Sequence, residues 1–457
     1  MGGTEVFVAG LARALAVLGV ESSVVVGHSS DQTLVHNGVR VCRYATRQPS
    51  DRLSEFYGGA DEFDSGFARC LQTEKPDVLH IHAFNPGVSR GMVRAAKARQ
   101  IPVVFTYHTP AATCPRRTLL RWGVEPCAGL MDVHDCARCT LEGLISRKAD
   151  GRWPMAKARK RVAQLVGSLP PAFGCWLGKL DLQGGVWTAL RMTELVRSRH
   201  AVTRAFLNEV DHVVAVCEWV RQVLLRNGVP ETKITLCPCG ITKEAASREQ
   251  PGEVASQRLH GPGKAEIQNH STLNSQPSTL RICFLGRLDP TKGVHILLHA
   301  LRSIPQAPVK LDIYGVAQGE GGRNYEQTLR RIANDDDRVK FCLPVPPTEI
   351  IAILKNYDLL AVPSQILETG PLVVWEAFAA GVPVLGSRLG GIADRVQDGV
   401  DGILVEADSI ESWAAALARL AGEPGLLEKL RLEIQPPRAM SDVASEMIGI
   451  YSELLTR

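Results

Sequence analysis

The stretch PSQILETGPLVVWEAFAAGVPVLGSRLGG, residues 363–391, decides the fold class of this 457-residue chain. The run DLLAVPS that leads into it has the length and the branched apolar residues of a buried strand. The apolar run from Leu372 then predicts a helix, and PVLGS predicts the next strand. Strand, loop, helix and strand in this order form a parallel unit, with functional groups at the carboxyl ends of its strands. We therefore predict an α/β protein with doubly wound parallel sheets.

The same alternation of strands and helices runs through both halves of the chain. Residues 246–278 interrupt it, because they lose hydrophobic periodicity and are rich in Ser, Gly, Pro, Gln, Asn and His, as linkers are. We predict a first domain over residues 1–245 and a second over residues 279–435, both Rossmann-like and facing each other across a cleft. A last helix within residues 436–457 is expected to pack back on the first domain.

Length and composition predict a globular protein with two cores. Hydrophobic residues make up 45% of the chain and charged residues 22%, which excludes an intrinsically disordered protein. The net charge of +4 is spread over the whole length and does not predict a nucleic-acid-binding surface. No apolar run is long enough to span a membrane, and the amino end lacks the features of a signal peptide, so we expect a cytoplasmic protein.

Two carboxylates flank the start of the helix in the opening stretch. Glu368 and Glu376 are separated by seven residues, and Gly370 lies in the loop before a helix that begins around Pro371 or Leu372. The free amides of a helix N-terminus bind anions, and carboxylates accept hydrogen bonds from hydroxyl groups. An anion beside a polyol is the chemistry of a sugar nucleotide, so this stretch predicts a binding site for one.

A second turn carries two cations. In FLGRLDPTKGVHIL, residues 284–297, Gly286 ends a strand, and Arg287 and Lys292 lie in the turn that follows. Two cations five residues apart can converge on a departing diphosphate. A solvated basic turn is the alternative for this stretch taken alone.

Two weaker signals lie in the first half. Gly2 and Gly3 precede a helix and would let the backbone approach a ligand closely. His108 ends the strand in FTYHTP, where a polar group can face the cleft, although a lone histidine is more often a structural hydrogen-bonding residue. His80 and His82 alternate on another strand and are equally consistent with packing residues.

Together these elements resemble the GT-B glycosyltransferases, specifically the large retaining family numbered four. The two glutamates with seven residues between them, EAFAAGVPVLGS and DGVDGILV are similar to that family's donor site, and GRLDPTKG is similar to its phosphate-binding turn. GGTE, PDVLHIHAF, FTYHTP and VDHVVAVCEWV follow in the family's order. The resemblance covers nearly the whole chain, and its motifs in the second half are the more specific ones.

The resemblance implies a role for each residue of the donor site. Glu376 would hold the nucleotide ribose, Glu368 would lie at the donor sugar, and amides around Gly370 would place that sugar. Arg287 and Lys292 would neutralise the departing diphosphate, so no catalytic divalent metal is expected.

The first domain would supply the other wall of this site, with His108 as a catalytic residue beside Glu368, Arg287 and Lys292. The cofactor would be a UDP- or GDP-sugar, bound by Gly2, Gly3, Gly286, Gly370, Pro371, Leu372 and Glu376.

Three departures from the family pattern stand out. The family usually has a hydrophobic strand before GGTE, whereas here a methionine precedes it, so we expect the first sheet to lack a central strand. Cys239 and Thr242 replace the Asn and Asp common before the linker, and Pro371 cannot donate a backbone hydrogen bond.

Four cysteines are concentrated in residues 114–139. Cys136 and Cys139 form a CxxC motif, with Cys127 and Cys114 upstream. Four thiolates at such spacing can close a tetrahedron around zinc, and an iron–sulfur cluster uses the same ligands. A cytosolic setting disfavours disulfides, and free thiols in a loop are the remaining alternative. Some members of the same family look similar here. We predict a structural zinc in a loop beside the acceptor side of the cleft.

Residues 153–192 mix cations with aromatic residues. The cations and aromatic residues together suit an anionic membrane surface or a lipid-linked acceptor. They are Lys157, Arg159, Lys160 and Arg161 with Trp153, Phe173, Trp176 and Trp187. A helical face packed on the first domain is the alternative.

The sequence therefore predicts a glycosyltransferase that moves a hexose from a nucleotide sugar to a glycan, lipid-linked or small-molecule acceptor, with retention of anomeric configuration implied by the family. The alternative is a catalytically silent protein of the same fold that binds or scaffolds. Nucleic-acid binding through the cysteine-rich loop is less favoured, because the aromatic residues form no base-stacking motif.

Overall fold

The structure is a computed structural model. It describes residues 3–36, 38–45, 65–84, 88–122, 125–147, 156–180, 184–242 and 279–457. Gly2 and the predicted linker at 246–278 lie outside the described residues.

The strands of the first domain form two separate sheets and a short ribbon. Within the described residues they are β1 (Ser23–His28), β2 (Gln32–His36), β3 (Val39–Ala45), β4 (Leu79–Ile81), β5 (Val103–Tyr107), β6 (Leu120–Arg121), β7 (Glu125–Pro126), β8 (His212–Ala215) and β9 (Ile234–Leu236). A parallel sheet has the order β4-β5-β8-β9, and a second sheet has the order β1-β3-β2 with β2 antiparallel. No described strand hydrogen-bonds to both β1 and β4, which is the arrangement of a sheet without its central strand, and the antiparallel β2 departs from the parallel order that we predicted.

The helices of the first domain pack on these sheets and also form an insert. They are α1 (Gly3–Val17), α2 (Ser65–Glu74), α3 (Arg90–Lys97), α4 (Val133–Arg147), α5 (Ala156–Val166), α6 (Pro171–Gly178), α7 (Gly185–Leu190), α8 (Met192–Glu209) and α9 (Glu218–Arg226). The insert, α4 to α8, has a small core of its own built on Leu141, Ala163, Met192 and Val196. Its helices therefore pack on one another as well as on the rest of the domain.

The second domain is a single six-stranded parallel sheet covered on both faces. Its strands are β10 (Leu280–Arg287), β11 (Val309–Val316), β12 (Val339–Cys342), β13 (Leu359–Val362), β14 (Val384–Ser387) and β15 (Gly402–Val405). They are ordered β12-β11-β10-β13-β14-β15, which is the doubly wound order with its switch point between β10 and β13. Ligands of such sheets bind outside the carboxyl ends of the strands at this switch point.

Apolar residues on both faces of this sheet explain why it is buried. One core includes Leu311 and Trp413, and the core on the opposite face includes Leu360 and Val374. The covering helices are α10 (Val294–Ser303), α11 (Gly319–Ala333), α12 (Ile350–Leu354), α13 (Leu372–Ala379), α14 (Gly390–Ala393), α15 (Ile410–Gly422) and α16 (Pro424–Leu432).

The last helix, α17 (Met440–Leu455), belongs to the core of the first domain. Its buried Val443 and Met447 lie in the same core as Phe7 and Leu11 of α1. Backbone hydrogen bonds at Ile241, to Arg438 O (2.9 Å) and from Met440 N (2.6 Å), tie the two crossing segments together. The chain therefore returns to the first domain after it completes the second.

Candidate functional site

The two donor-site motifs of the second domain meet at the switch point of its sheet. Gly286 and Arg287 end β10, and the loop that carries Glu368 and Gly370 follows β13, the neighbouring strand. The fold therefore brings together the cationic turn and the carboxylate loop, which are about 80 residues apart in sequence, at the edge where doubly wound sheets bind ligands.

Lys292 is held by a tight turn beside β10. The turn, Pro290–Lys292, is a single 3₁₀ turn, and the Asp289 carboxylate accepts hydrogen bonds from the backbone N–H (2.9 Å) and hydroxyl (2.5 Å) of Thr291. Gly293 follows at φ +72°, and a Cβ there would lie 1.7 Å from the carbonyl oxygen of Pro363. Only glycine fits, so the Lys292 turn packs directly on the loop after β13.

Lys292 and Glu368 form an ion pair at the centre of the site. Lys292 Nζ lies 2.5 Å from Glu368 Oε1, and the two side chains are only 20% and 13% exposed. The Ser364 hydroxyl donates to the same oxygen at 2.7 Å. Burial would raise the pKa of the Glu368 carboxyl, but Lys292, Ser364 and the charge of Arg287 together hold that pKa below its ordinary value. Glu368 is therefore ionised at neutral pH.

Glu376 has the opposite electrostatic environment. It lies in α13, which begins at Leu372 directly after Pro371, as the sequence predicts. Burial raises the pKa of its carboxyl to about 7. The two glutamates thus differ in protonation near neutral pH, because Glu368 has a cationic partner and the shift at Glu376 comes from burial.

Gly370 makes room for a buried arginine. A Cβ at this position would lie 2.4 Å from Arg395 Nη2. The Arg395 guanidinium lies 4.7 Å from the centre of the Trp375 ring and donates to Val216 O of the first domain at 3.3 Å. The loop around Gly370 is thus bordered by a cation that also reaches the opposite domain.

The first domain contributes neutral histidines to the cleft. His108 follows β5, and its Nε2 lies 3.1 Å from Nδ1 of His82, which follows β4. Burial, with the neighbouring His82, lowers the pKa of His108 well below its ordinary value, and burial lowers the pKa of His82 to about 4. The Phe7 ring, one turn into α1, lies edge-on to His108 at 4.7 Å. Gly3 begins this helix.

Contacts across the cleft join His108 to the donor loop. The Thr369 hydroxyl donates to the carbonyl oxygen of His108 at 2.5 Å. The indole N–H of Trp219 donates to the carbonyl oxygen of Glu368 at 2.9 Å. The parts played by Thr369, Trp219 and Ser364 were not predicted from the sequence. Thr369 and Trp219 lie inside the quoted motifs, but each acts through a contact between the two domains, and a single sequence does not show which residues meet there.

The four cysteines of residues 114–139 lie in one neighbourhood. Burial raises the pKa of Cys136, and the nearby thiols of Cys114, Cys127 and Cys139 raise it further. Cys139 Sγ accepts a hydrogen bond from the backbone N–H of Trp122 at 3.3 Å. Across the part of the chain that the structure describes, no three His, Cys, Asp or Glu side chains are arranged to hold a metal ion. The cysteines are therefore brought close without forming a ligand set.

The cysteine loop also touches the donor side of the cleft. Cys114 and Cys127 pack against a small apolar cluster that includes Leu119 of the loop and Leu367 and Leu389 of the second domain. We expected this loop beside the acceptor side. The structure places part of it against the residue next to Glu368, because Leu119 is buried at the boundary between the domains.

Sequence families match both halves of the chain. The family described as "Glycosyl transferase 4-like domain" matches residues 2–240, and "Glycosyl transferases group 1" matches residues 266–434. A D-inositol 3-phosphate glycosyltransferase from Nocardia farcinica is 30% identical over 242 residues, 51% of this chain and 50% of that protein. One from Corynebacterium glutamicum is 35% identical over 36% of this chain and 41% of that protein. The chain spans about half the length, or less, of these curated relatives.

Solved structures share the fold. Sucrose-phosphate synthase from Thermosynechococcus elongatus superposes with a TM-score of 0.63 at 19% identity, over 100% of this chain and 94% of that one. HepE from Anabaena, in complex with UDP and glucose, superposes with a TM-score of 0.58 at 15% identity, over 99% and 96%. These likenesses confirm the predicted GT-B fold. Because the family match covers more than half of the chain, the chain belongs to the glycosyltransferase 4-like family, and its second half is a group 1 glycosyltransferase domain.

Proposed function

We propose that this protein is a retaining glycosyltransferase that moves a hexosyl group from a UDP- or GDP-sugar to a hydroxyl group of an acceptor. The observation that carries the proposal is the mostly buried Lys292–Glu368 ion pair at the switch point of the sheet. Lys292 and the ionised Glu368 are joined there by a second carboxylate with a raised pKa, Glu376, in the helix that follows the Glu368 loop. These are the groups needed for a sugar, a diphosphate and a ribose.

The donor is proposed to bind by replacing one partner of the ion pair. A diphosphate entering at the end of β10 offers Lys292 a stronger anion than Glu368 does, and Arg287 adds a second cation nearby. Lys292 then stabilises the charge that develops on the leaving diphosphate, the work that a divalent metal performs in other transferases. The Glu368 carboxylate is freed to accept hydrogen bonds from the donor sugar.

The acceptor is proposed to be a polyol, as a free small molecule, a glycan or a lipid-linked sugar. What supports a small polyol phosphate among these is similarity to proteins named D-inositol 3-phosphate glycosyltransferase, over about half of their length. His108, held neutral by burial, borders the donor loop through Thr369 and would face the sugar from the first domain. The alternative is a catalytically silent protein of this fold. The mostly buried Lys292–Glu368 ion pair argues against it, because a protein without activity has no need of such a pair in its cleft.

Replacement of Glu368 by glutamine tests the proposed donor chemistry. Glutamine keeps the shape of the side chain but removes the charge, so we expect donor hydrolysis and transfer to fall about 100-fold or more. The measurement is product release from a panel of UDP-, GDP- and ADP-sugars, followed by mass spectrometry. Glu406→Gln, at an exposed position of the same domain, is the matched control and should keep wild-type activity.

The activity of Glu368→Gln is compared with its melting temperature, because the substitution leaves the Lys292 charge without its partner and this lowers stability. If Glu368→Gln melts near the wild-type temperature and still cleaves the donor at the wild-type rate, the assignment of Glu368 is wrong. If wild type cleaves no donor in the panel, the silent alternative replaces the enzyme. NMR of the transferred sugar decides the stereochemistry, and an inverted anomeric centre would contradict retention.

The raised pKa of Glu376 predicts how sugar-nucleotide affinity depends on pH. Ribose hydroxyls donate to the carboxylate form, so binding favours deprotonation and weakens as the carboxyl gains a proton below pH 7. We expect affinity for UDP-glucose or GDP-mannose, whichever binds, to fall about tenfold between about pH 8 and about pH 6. His82 and His108 stay neutral across this range. Isothermal titration calorimetry measures the affinity.

Variants separate Glu376 from other titrating groups. Glu376→Gln should bind more weakly with a flat pH profile, whereas Glu428→Gln, at an exposed position, should keep the wild-type slope. A wild-type slope retained in Glu376→Gln would show that another group controls binding.

The structural zinc stays a prediction from the cysteine spacing, supported by the proximity of the four thiols. Their side chains would have to turn toward a common centre to bind it. Metal analysis of protein purified without chelators should find about one zinc per chain, lost in Cys136→Ser and kept in Cys342→Ser, which lies outside the loop. Metal-free wild type with all thiols reactive would contradict the zinc, and bound iron would favour a cluster.

We also propose that the protein works at the cytoplasmic face of a membrane, which it touches through the insert. Phe173, Trp176 and Trp187 are substantially exposed there, with Lys179 exposed beside them. Aromatic residues with cations suit an anionic lipid surface. None of the described helices has the length and apolar character to cross a bilayer.

Vesicle co-sedimentation tests this contact. Wild type should bind vesicles containing phosphatidylglycerol more than pure phosphatidylcholine vesicles, and Trp176→Ser should weaken binding about tenfold. Leu343→Ser, at an apolar position 86% exposed in the second domain, is the control and should bind as wild type does. Equal binding to both kinds of vesicle, or none, would contradict the proposal.

A further inference from the structure

Trp219, in the first turn of α9, reaches across the cleft to the backbone of the loop after β13, which carries Glu368 and is here called the catalytic loop. Its indole Nε1–H donates to the carbonyl oxygen of Glu368 at 2.9 Å, and its backbone N–H donates to Asp394 Oδ2 at 3.2 Å. Both acceptors belong to the second domain, while α9 belongs to the first. One residue therefore makes two hydrogen bonds between the domains.

The carbonyl group of Glu368 is held from two directions. Besides Trp219, the backbone N–H of Gly391 donates to it at 2.6 Å. A Cβ on Gly391 would lie 2.7 Å from this carbonyl oxygen, and a Cβ on Gly390 would lie 2.8 Å from Trp219 Nε1. The two glycines thus leave room for the indole and the carbonyl to meet, and any side chain there would push them apart.

Packing fixes the position of the indole ring. Trp219 packs against the apolar cluster that contains Leu119 and Val223 of the first domain and Leu367 and Leu389 of the second. Leu367 precedes Glu368 directly. The ring therefore contacts the catalytic loop through its apolar face and through its N–H, which limits the ways in which the loop can move while the cleft is closed.

The start of α9 also depends on the second domain. A helix N-terminus has amides without intrahelical partners, and a side chain at the N-cap position commonly accepts from one of them. Cys217 occupies the N-cap position, where its sulfur is only a weak acceptor for the Val220 amide. The carboxylate of Asp394 in the second domain accepts from the Trp219 amide. The first turn of α9, and with it the indole, is thus stabilised by the opposite domain.

We propose that Trp219 is a positioning residue for the transfer reaction: its indole N–H fixes the backbone of Glu368 when the domains close, and so orients the carboxylate toward the donor sugar. The inference rests on the proposed function of Glu368. It assigns to Trp219 no contact with the substrate. Loss of the N–H should therefore lower the rate of the chemical step and leave donor affinity nearly unchanged.

Trp219→Phe tests the role, because phenylalanine keeps most of the apolar packing and removes the N–H. We expect kcat to fall about tenfold with donor KM within about twofold of wild type. The matched control is Trp413→Phe. Trp413 is fully buried in the second domain, and its indole N–H makes no hydrogen bond to any described residue. Removal of that N–H should leave kcat and KM near wild type, while the cavity left by the smaller ring lowers the melting temperature.

The outcomes separate positioning from folding. A drop in kcat for Trp219→Phe at an unchanged melting temperature supports the proposal, while kinetics equal to those of Trp413→Phe overturn it. A second measurement covers the cases in which Trp219→Phe is unstable, or wild type proves inactive so that the proposed function fails. In either case, hydrogen exchange of the Trp219 indole N–H shows whether its hydrogen bond to Glu368 exists. Wild-type protein labelled with ¹⁵N-tryptophan should show a slowly exchanging Trp219 signal, assigned as the signal missing from Trp219→Phe. Fast exchange of that signal would overturn the inference.

Discussion

The ion pair between Lys292 and Glu368 is the interaction around which the donor cleft is organised. Both charges are mostly buried, and burial of ions costs free energy that a pair offsets only with good geometry and further hydrogen bonds. Ser364 supplies one such bond. Because apolar residues can often replace a buried pair without loss of stability, the pair is better explained by function than by folding. With Lys292 beside it, the pKa of the Glu368 carboxyl stays below its ordinary value despite burial, so the carboxylate remains ionised at the switch point.

Both domains determine where this pair lies. The loop after β13 is held by its own domain through Ser364 and by the first domain through Thr369 and Trp219. Arg395, beside Gly370, reaches the first domain as well. The carboxylate is therefore oriented by contacts from both domains, and a change in the position of either domain would move it.

The part of the site in the second domain could be predicted from sequence, because its turn and its helix start are determined by residues that are adjacent in the chain. The start of α13 at Leu372 follows from Pro371, and the turn at Lys292 requires Gly293. The contact between Trp219 and Glu368 could not be predicted in this way, since the two residues are 149 positions apart and lie in different domains. This contact depends on how the two folded domains pack against each other, and the spacing of apolar residues along the sequence does not predict that packing.

The first domain shows a second limit of sequence patterns. The strands β1 and β4 lie in separate sheets, as in a sheet without its central strand, but local propensity does not specify which strands pair and did not indicate that β2 pairs antiparallel with β3. The cysteine loop is similar: its spacing predicts that four thiols lie close together, which the structure shows. Its contact with Leu367 depends on the position of the second domain and was not predicted.

A crystal structure of the protein with bound UDP would show whether Lys292 changes partners. We expect the diphosphate to take Lys292 from Glu368, so that Nζ binds phosphate oxygens and lies more than about 4 Å from the carboxylate, with the ribose hydroxyls on Glu376. UDP bound elsewhere, with Lys292 still paired to Glu368, would contradict this expectation.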